Sequence, residues 1–226
     1  MHRFGKVIMS SVLVVSGLIP TVNAFAKTGT NEQLTPSEIA FIKTLVPTRQ
    51  ELASLQMKVA PGHSWKMELP NYARVKSAEQ NPNLSTEMKK IIDGIPTSIS
   101  FANTTPVTDV GEIGDPTASG YYQESSWLGI PIWFYKVTQD FSDNGQNVTW
   151  LGAAQNDPAV WYPGWSLSNE SNSSSTVPYS FVQSYNQGVF SYTPYDLVTI
   201  ETQVCNINFT MYGDGGWYAN VSMTTN

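Results

Sequence analysis

The amino-acid sequence predicts a mainly β fold, an antiparallel β-sandwich of jelly-roll-like type, preceded by a short α-helical N-terminal segment. After residue 95 the chain is rich in valine, threonine, tyrosine and tryptophan, which favour strands. Gly, Pro and Asn-Gly turns separate these stretches, and no helical pattern lies between them, as is typical of sandwiches. Before residue 95, apolar residues instead recur at helical spacing behind helix-start motifs.

The first 26 residues have the order of a secretory signal peptide. Basic Arg3 and Lys6 precede an apolar run over 7–19, and Ala24-Phe25-Ala26 supplies small residues at alternate positions. The run is about 13 residues, whereas a helix needs roughly 20 to span a bilayer, so a membrane anchor is the less favoured alternative. We expect cleavage after Ala26, with Ala24 as the alternative, and an extracellular mature protein from a bacterial source.

Residues 27–94 are predicted to form the helical segment. Thr35-Pro36-Ser37-Glu38 and Thr48-Arg49-Gln50-Glu51 are capping boxes, in which a threonine is followed by glutamate three residues later. Residues 85–93 indicate a third helix that ends at Gly94. One interpretation of this segment is a removable pro-segment.

Residues 95–226 are predicted to form the β domain. Strands over 128–141 and 148–154 are joined by a turn at Asn144-Gly145, a strong hairpin signal. A long strand is predicted over 197–212, and its apolar residues change parity near Val204-Cys205. This change predicts a bulge or a strand that passes from one sheet to the other.

Charge is divided unevenly between the two segments. Residues 27–94 carry nine basic and seven acidic residues, for a net charge of +2. Residues 95–226 carry one basic residue, Lys136, and eleven acidic residues, for a net charge of −10. Such a domain repels nucleic acid and anionic lipid, and in acid it gains little of the positive charge that destabilises folded proteins. We therefore expect no nucleic-acid partner, and no membrane contact after signal cleavage.

The scarcity of cysteine and histidine excludes several kinds of site. Cys205 is the only cysteine, so no intramolecular disulfide forms, and His63 is the only histidine after the signal peptide. Ser-His-Asp and Cys-His catalysis in the β domain, and a typical zinc site, are thereby excluded. We expect neither a cofactor nor a bound metal, apart from one open alternative at Asp109-Val-Gly-Glu112-Ile-Gly-Asp115. That acidic loop could hold calcium, although its spacing matches no specific calcium loop.

Carboxylates and aromatic rings are the remaining candidates for a functional site. Glu124 lies among Tyr121, Tyr122 and Trp127, whose rings could raise its pKa and suit it to acid–base chemistry. A glutamate on a strand surface is the plainer interpretation. Six of seven tryptophans and ten of eleven tyrosines follow residue 95. Exposed rings can stack on sugars or extended peptides, and the candidate ligand-binding residues are Trp161, Tyr162 and Trp165.

Residues 149–165 resemble the glutamic peptidases (eqolisins). Thr-Trp-Leu-Gly-Ala-Ala-Gln, followed by Trp-Tyr-Pro-Gly-Trp, is similar to that family's Trp-Val-Gly strand, catalytic glutamine and Trp-Tyr-rich strand. The resemblance implies a secreted, acid-active β-sandwich made with a pro-segment, with Gln155 as the residue that polarises the reacting carbonyl. The family's glutamate stands in an Ala-Glu-Trp context, which neither Glu170 nor Glu201 shares. Gln155, Glu124 and Glu201 are the candidate catalytic residues.

Three hypotheses about function follow from these patterns. The leading hypothesis is a secreted, non-catalytic binding protein whose partner is an extracellular polysaccharide or peptide. The alternative is a secreted, acid-acting hydrolase that resembles a glutamic peptidase, with residues 27–94 as its pro-segment. A structural component of a surface layer or matrix is the third.

Overall fold

A computed structural model describes residues 34–102, 115–194 and 198–225 of the chain. The signal-peptide prediction and most of the acidic loop at residues 109–115 lie outside the described residues. Two antiparallel sheets pack face to face behind a mainly helical N-terminal segment, which confirms the predicted fold class.

The N-terminal segment contains the three predicted helices and further elements. Both capping boxes form, at the starts of α1 (Pro36–Lys43) and α2 (Arg49–Ala53), and the Ser85 hydroxyl caps α4 (Thr86–Asp93). The helix α3 (Tyr72–Glu79) was not predicted, because only two of its residues are buried and no side chain caps its start. The buried faces of these helices join the same core as the sheets.

Two short strands connect the N-terminal segment to the sandwich. The strand β1 (Met57–Val59) pairs with the last strand of the chain, and β2 (Ser64–Glu68) pairs with β3 (Ser98–Ala102). Residues 27–94 therefore supply an edge strand to each sheet as well as helices. Val59 lies buried in β1.

The remaining strands complete two sheets. Sheet A has the order β1-β11-β10-β9-β8, and sheet B has the order β2-β3-β4-β5-β6, with β7 paired to the same edge of β5 as β6. The predicted hairpin forms between β5 and β6, and its Gly145 has a φ of 82°, which glycine adopts readily. The bounds of these strands are β4 (Thr117–Ser125), β5 (Pro131–Asp143), β6 (Val148–Leu151), β7 (Gln155–Val160), β8 (Trp165–Ser174), β9 (Phe181–Tyr192), β10 (Glu201–Tyr212) and β11 (Trp217–Thr225).

The long strand near the C-terminus corrects one prediction. Neither a bulge nor a passage to the other sheet occurs at Val204-Cys205: β10 lies in sheet A throughout, and its register with β11 is continuous from Gln203 to Met211. Odd-numbered residues of β10 face the core, and two of them, Glu201 and Gln203, are polar. The apparent change of parity arises because polar residues occupy inward positions and Val204 faces outward.

Candidate functional site

Four polar or aromatic side chains meet between the two sheets and form a buried carboxyl cluster: Glu124, Trp133, Glu201 and Gln203. Strand alternation places Glu201 and Gln203 on the inner face of sheet A. Glu124 of β4 and Trp133 of β5 are register partners on the inner face of sheet B. All four side chains are at most 1% exposed. The folding of the two sheets therefore brings two of the three candidate catalytic residues together.

Hydrogen bonds fix the orientation of the Gln203 amide within the cluster. The Trp133 indole Nε1 donates to Gln203 Oε1 at 3.2 Å, and Gln203 Nε2 donates to Glu201 Oε1 at 2.9 Å. Neither oxygen of Glu124 has a well-aligned hydrogen bond with any described residue, and the same holds for Glu201 Oε2. Ionised carboxylates would be very costly in this arrangement, since burial without a partner removes their solvation.

Both glutamates are accordingly held in the protonated form. Burial raises the pKa of Glu201 from 4.5 to about 8, although its hydrogen bond with Gln203 lowers it in part. Burial raises the pKa of Glu124 well above 4.5, and the neighbouring Glu201 raises it further, while Gln203 and Trp133 offset part of the rise. Strongly perturbed carboxyl groups of this kind cluster at functional sites, although structural networks also produce them. The cluster can donate and accept protons once water or a substrate reaches it.

The end of α4 lies against aromatic residues that adjoin the cluster. Trp165 and Tyr192 stack at a centroid distance of 5.3 Å, and Tyr192 is the register partner of Glu201. The Trp165 Nε1 donates to the carbonyl of Gly94 at 2.8 Å, and the Tyr192 hydroxyl donates to the carbonyl of Ile91 at 2.8 Å. The Ile91 carbonyl also accepts from the Gly94 backbone N–H at 3.1 Å, so the Tyr192 hydroxyl is its second donor. The two side-chain bonds fix residues 91–94 against the sandwich at the end where the cluster lies.

A second candidate site is the outer face of sheet A, where an aromatic row crosses three strands and ends against a lysine of a fourth. Phe181 of β9 lies 6.4 Å from Tyr212 of β10, and Tyr212 lies 6.0 Å from Tyr218 of β11, between ring centroids. The Lys58 ammonium of β1 lies 3.5 Å from the Tyr218 ring centroid, a close cation–π contact. Phe181 is 52% exposed. Rings that remain in contact with water in this way can stack on a ligand.

Uncharged polar side chains continue the outer face of sheet A along the strands, in a row six residues, or roughly 20 Å, from the Phe181–Tyr212 pair. The Gln187 amide donates to Asn206 Oδ1 at 3.1 Å, and the Asn206 amide donates to Ser222 Oγ at 3.3 Å. These bonds cross three neighbouring strands and hold the side chains in place. A groove of about 330 Å3 lies beside them, and among the residues that line it are Lys58, Asn208, Asn220 and Ser222. We call the row, the polar side chains and the groove the polar–aromatic face.

Charge is nearly absent from the polar–aromatic face. Among the described strands of sheet A, Lys58 is the charged residue that faces outward, through its contact with Tyr218. The outward positions of β9, β10 and β11 carry Phe, Gln, Tyr, Val, Ser, Thr and Asn. A domain with a net charge of −10 thus presents a face whose chemistry is hydroxyl, amide and ring. Such a face is suited to an uncharged ligand that offers hydroxyl groups.

Gln155 lies apart from the buried carboxyl cluster. It is exposed at the first position of β7, where it pairs with the outward-facing Thr138 of β5. Glu124 instead pairs with the inward-facing Trp133 of β5. Thr138 and Trp133 are five residues apart in β5, which corresponds to roughly 17 Å along the strand. Gln155 and Glu124 are therefore on opposite faces of sheet B. Gln203, and not Gln155, is the glutamine that is hydrogen bonded to a candidate glutamate, Glu201.

The three predicted ligand-binding residues have different environments. Trp161 is 52% exposed, and its ring contacts Phe134 at 5.9 Å between centroids. Tyr162 is half-buried, and its hydroxyl donates to the carbonyl of Lys90 at 2.7 Å. Trp165 is 6% exposed and belongs to the core. Trp161 alone of the three is largely open to a ligand.

The acidic loop and the histidine show no metal-binding arrangement in the portion of the chain that is described. Of the loop at residues 109–115 only Asp115 is described, and it accepts a hydrogen bond from the Ser142 hydroxyl. His63 lies in an exposed turn before β2. The described residues contain no group of three or more His, Cys, Asp or Glu side chains placed to hold a metal ion.

Sequence reasoning missed Gln203 and the polar–aromatic face. The signal for Gln203 was present, because a glutamate and a glutamine at alternate positions of a long apolar strand predict a polar pair on one face. Tyr212 and Tyr218 are separated by a turn, Gly213-Asp214-Gly215-Gly216, that indicates a hairpin. Phe181 could not be placed beside them, because pairing of β9 with β10 is not a local property of the sequence.

No protein-family model matches the chain, and neither a curated protein nor a solved structure has significant similarity to it. Within the described residues, no helix has the length and apolar character required to cross a bilayer.

Proposed function

We propose that the protein is a secreted, non-catalytic binding protein whose ligand is an uncharged extracellular polysaccharide. The observation that carries this proposal is the aromatic row of Phe181, Tyr212 and Tyr218 on an almost uncharged sheet face. Sugar rings present apolar C–H faces and peripheral hydroxyl groups. Aromatic rings cover the former, and fixed amides and hydroxyls bind the latter.

The polar side chains favour a sugar over a peptide as the ligand. The chain of hydrogen bonds from Gln187 through Asn206 to Ser222 holds donors and acceptors in fixed positions before binding. Binding to such a surface costs less side-chain entropy than binding to mobile side chains. The strands of this face are covered by neighbours within the sheet, so an extended peptide could not add to it as a strand except at its edges.

Retention on insoluble polymers tests this proposal. The purified mature protein is mixed with insoluble β-glucan, chitin and peptidoglycan, and the fraction that sediments with each is measured. We expect retention on at least one of them, and roughly tenfold weaker binding for Tyr218→Ala combined with Phe181→Ala, equivalent to about 1.4 kcal/mol. Trp150→Ala is the matched control, because Trp150 is also 52% exposed but lies in β6 of the other sheet. Absence of wild-type retention on all three polymers would refute the proposal.

Export is tested separately, because it rests on the sequence pattern of the first 26 residues. The full chain is expressed in a bacterial host, and the mass of the protein in the medium is measured. A protein that begins at Lys27 is the expected product, and one that begins at Phe25 corresponds to the alternative cleavage site. Recovery of the full-length chain from the cytosol alone would contradict secretion.

The second candidate function is an acid-acting hydrolase, which the buried carboxyl cluster favours. Glu124 and Glu201 provide two carboxyl groups of raised pKa, and Gln203 provides an amide hydrogen bonded to one of them. Because the cluster is enclosed, this function requires that residues 27–94, which include α4, move away as a pro-segment. Once residues 27–94 have moved away, water reaches the cluster, the burial that raises the carboxyl pKa values is lost, and one carboxyl can ionise. It could then take a proton from the water that attacks the substrate carbonyl, while the other carboxyl protonates the leaving group as its bond to the carbonyl carbon breaks.

Exposure to acid distinguishes the hydrolase from the binding protein. The purified protein is brought to about pH 4, and self-cleavage near Gly94 is followed by mass spectrometry together with hydrolysis of casein. The hydrolase hypothesis expects both, and expects Glu201→Gln and Glu124→Gln to abolish both while the variants remain folded. A wild-type chain that stays intact and inactive at this pH excludes it.

A further inference from the structure

The outer face of sheet B carries a second group of aromatic rings. Tyr121 of β4 lies 5.2 Å from Phe134 of β5, and Phe134 lies 5.9 Å from Trp161, between ring centroids. Tyr121 and Phe134 are half-buried, and Trp161 is 52% exposed. The backbone N–H of Trp161 donates to the carbonyl of Ile132 at 2.9 Å, so the backbone that carries this ring is held against β5. We call these three rings the sheet B aromatic group.

The surroundings of this group also suit an uncharged ligand. Gln123 of β4 is the register partner of Phe134 and places an amide beside the rings. Lys136 of β5 is the register partner of Tyr121 on one side and of Asp157 on the other, so a basic and an acidic residue lie on neighbouring strands beside the rings. Ring faces beside an amide are properties that the polar–aromatic face also has.

The two aromatic groups lie on opposite sides of the molecule. The polar–aromatic face is the outer face of sheet A, the sheet B aromatic group is on the outer face of sheet B, and the core lies between them. A single polymer chain following one face cannot contact the other without bending around the sandwich. We propose that the protein is bivalent: the sheet B aromatic group is a second site for an uncharged polysaccharide, and one molecule bridges two polymer chains. This inference rests on the proposed binding function.

A capture assay tests the bridging directly. The insoluble β-glucan or chitin that retains the protein is saturated with it and washed, and a fluorescently labelled soluble fragment of the same polymer is then added. The wild-type layer is expected to capture the labelled fragment. Trp161→Ala is expected to remain bound to the insoluble polymer through the polar–aromatic face, yet to capture about tenfold less of the labelled fragment. Trp150→Ala removes an equally exposed tryptophan of β6, which pairs with the far end of β5. This variant is expected to capture as much labelled fragment as the wild type does.

The outcomes separate this inference from the proposed function. If the wild type is retained but Trp161→Ala captures the fragment as well as it does, the second site is refuted and the binding function stands. A retained wild-type layer that captures no labelled fragment would likewise refute the second site and leave the binding function standing. If the wild type is not retained on any of the polymers, the binding function fails, and the inference fails with it. Far-ultraviolet circular dichroism and urea midpoints equal to those of the wild type establish that each variant is folded.

Discussion

Glu201 makes the stability of the protein depend on pH between about 4.5 and 8. In the unfolded chain its carboxyl ionises near 4.5, whereas burial in the folded protein raises its pKa to about 8. Between these values the folded state retains a proton that the unfolded state has lost. The contribution of Glu201 to the free energy of unfolding therefore falls as the pH rises through this window, and that contribution no longer changes above pH 8.

The size of this effect follows from the two pKa values. At 1.36 kcal/mol for each pH unit, the change from 4.5 to about 8 corresponds to a loss of about 5 kcal/mol. This is a large part of the 5–15 kcal/mol that is typical of folded domains. Glu124 acts in the same direction, because burial and the neighbouring Glu201 raise its pKa as well.

Glu201→Gln removes the titrating proton and retains a carbonyl oxygen that can accept the hydrogen bond from Gln203. The variant is expected to be about as stable as the wild type at pH 4 and more stable than it at pH 8, by up to about 5 kcal/mol. Urea unfolding, followed by tryptophan fluorescence at pH values from 4 to 9, measures both curves. Glu68→Gln, at an exposed position at the end of β2, is the control and should leave the pH dependence unchanged. Parallel curves for Glu201→Gln and the wild type would refute the reasoning.

Three further variants or probes test the core around the cluster. Gln203→Leu leaves the Trp133 indole without its acceptor, so the free energy of unfolding should fall by about 1–3 kcal/mol, whereas an unchanged urea midpoint would contradict this bond. Gly94→Val places a Cβ that overlaps the Tyr192 hydroxyl oxygen, so destabilisation by about 1–3 kcal/mol is expected in the same assay. Lys89→Ala, in the helix α4 that precedes Gly94, should cause none. The buried Cys205 thiol, whose pKa burial raises, should react with a thiol reagent only in urea, and rapid labelling of the native protein would disagree.

Local patterns were sufficient to predict the fold class and several elements. The capping boxes at Thr35 and Thr48 and the Asn144-Gly145 turn form as predicted, because each is specified by residues within four positions of one another. The strands β1 and β2 were not predicted. They are three and five residues long, and their pairing with β11 and β3 depends on contacts distant in sequence.

The candidate site was predictable only in part, for the same reason. Glu124 and Glu201 were identified as individual carboxylates, but their approach depends on two sheets packing together. The resemblance around Gln155 led to a glutamine on the outer face of sheet B, while the core contains Gln203. Strand alternation in β10 does distinguish inward from outward positions. Its apparent break was interpreted as a bulge because buried glutamate and glutamine side chains are rare.

Two independent features of the chain act in the same direction as the pH is lowered. The buried carboxyl cluster favours folding when Glu124 and Glu201 are protonated, and it therefore contributes most to stability in acid. The β domain has one basic residue, so protonation of its acidic residues leaves little net positive charge. Repulsion between like charges therefore destabilises its folded state little in acid. An ordinary domain loses stability in acid through both effects, since its carboxylates are paired and its basic residues are many. We therefore expect the free energy of unfolding to reach its maximum at mildly acidic pH, whichever of the two proposed functions is correct. A maximum at or above pH 7 in the urea measurements would show that other groups dominate the stability.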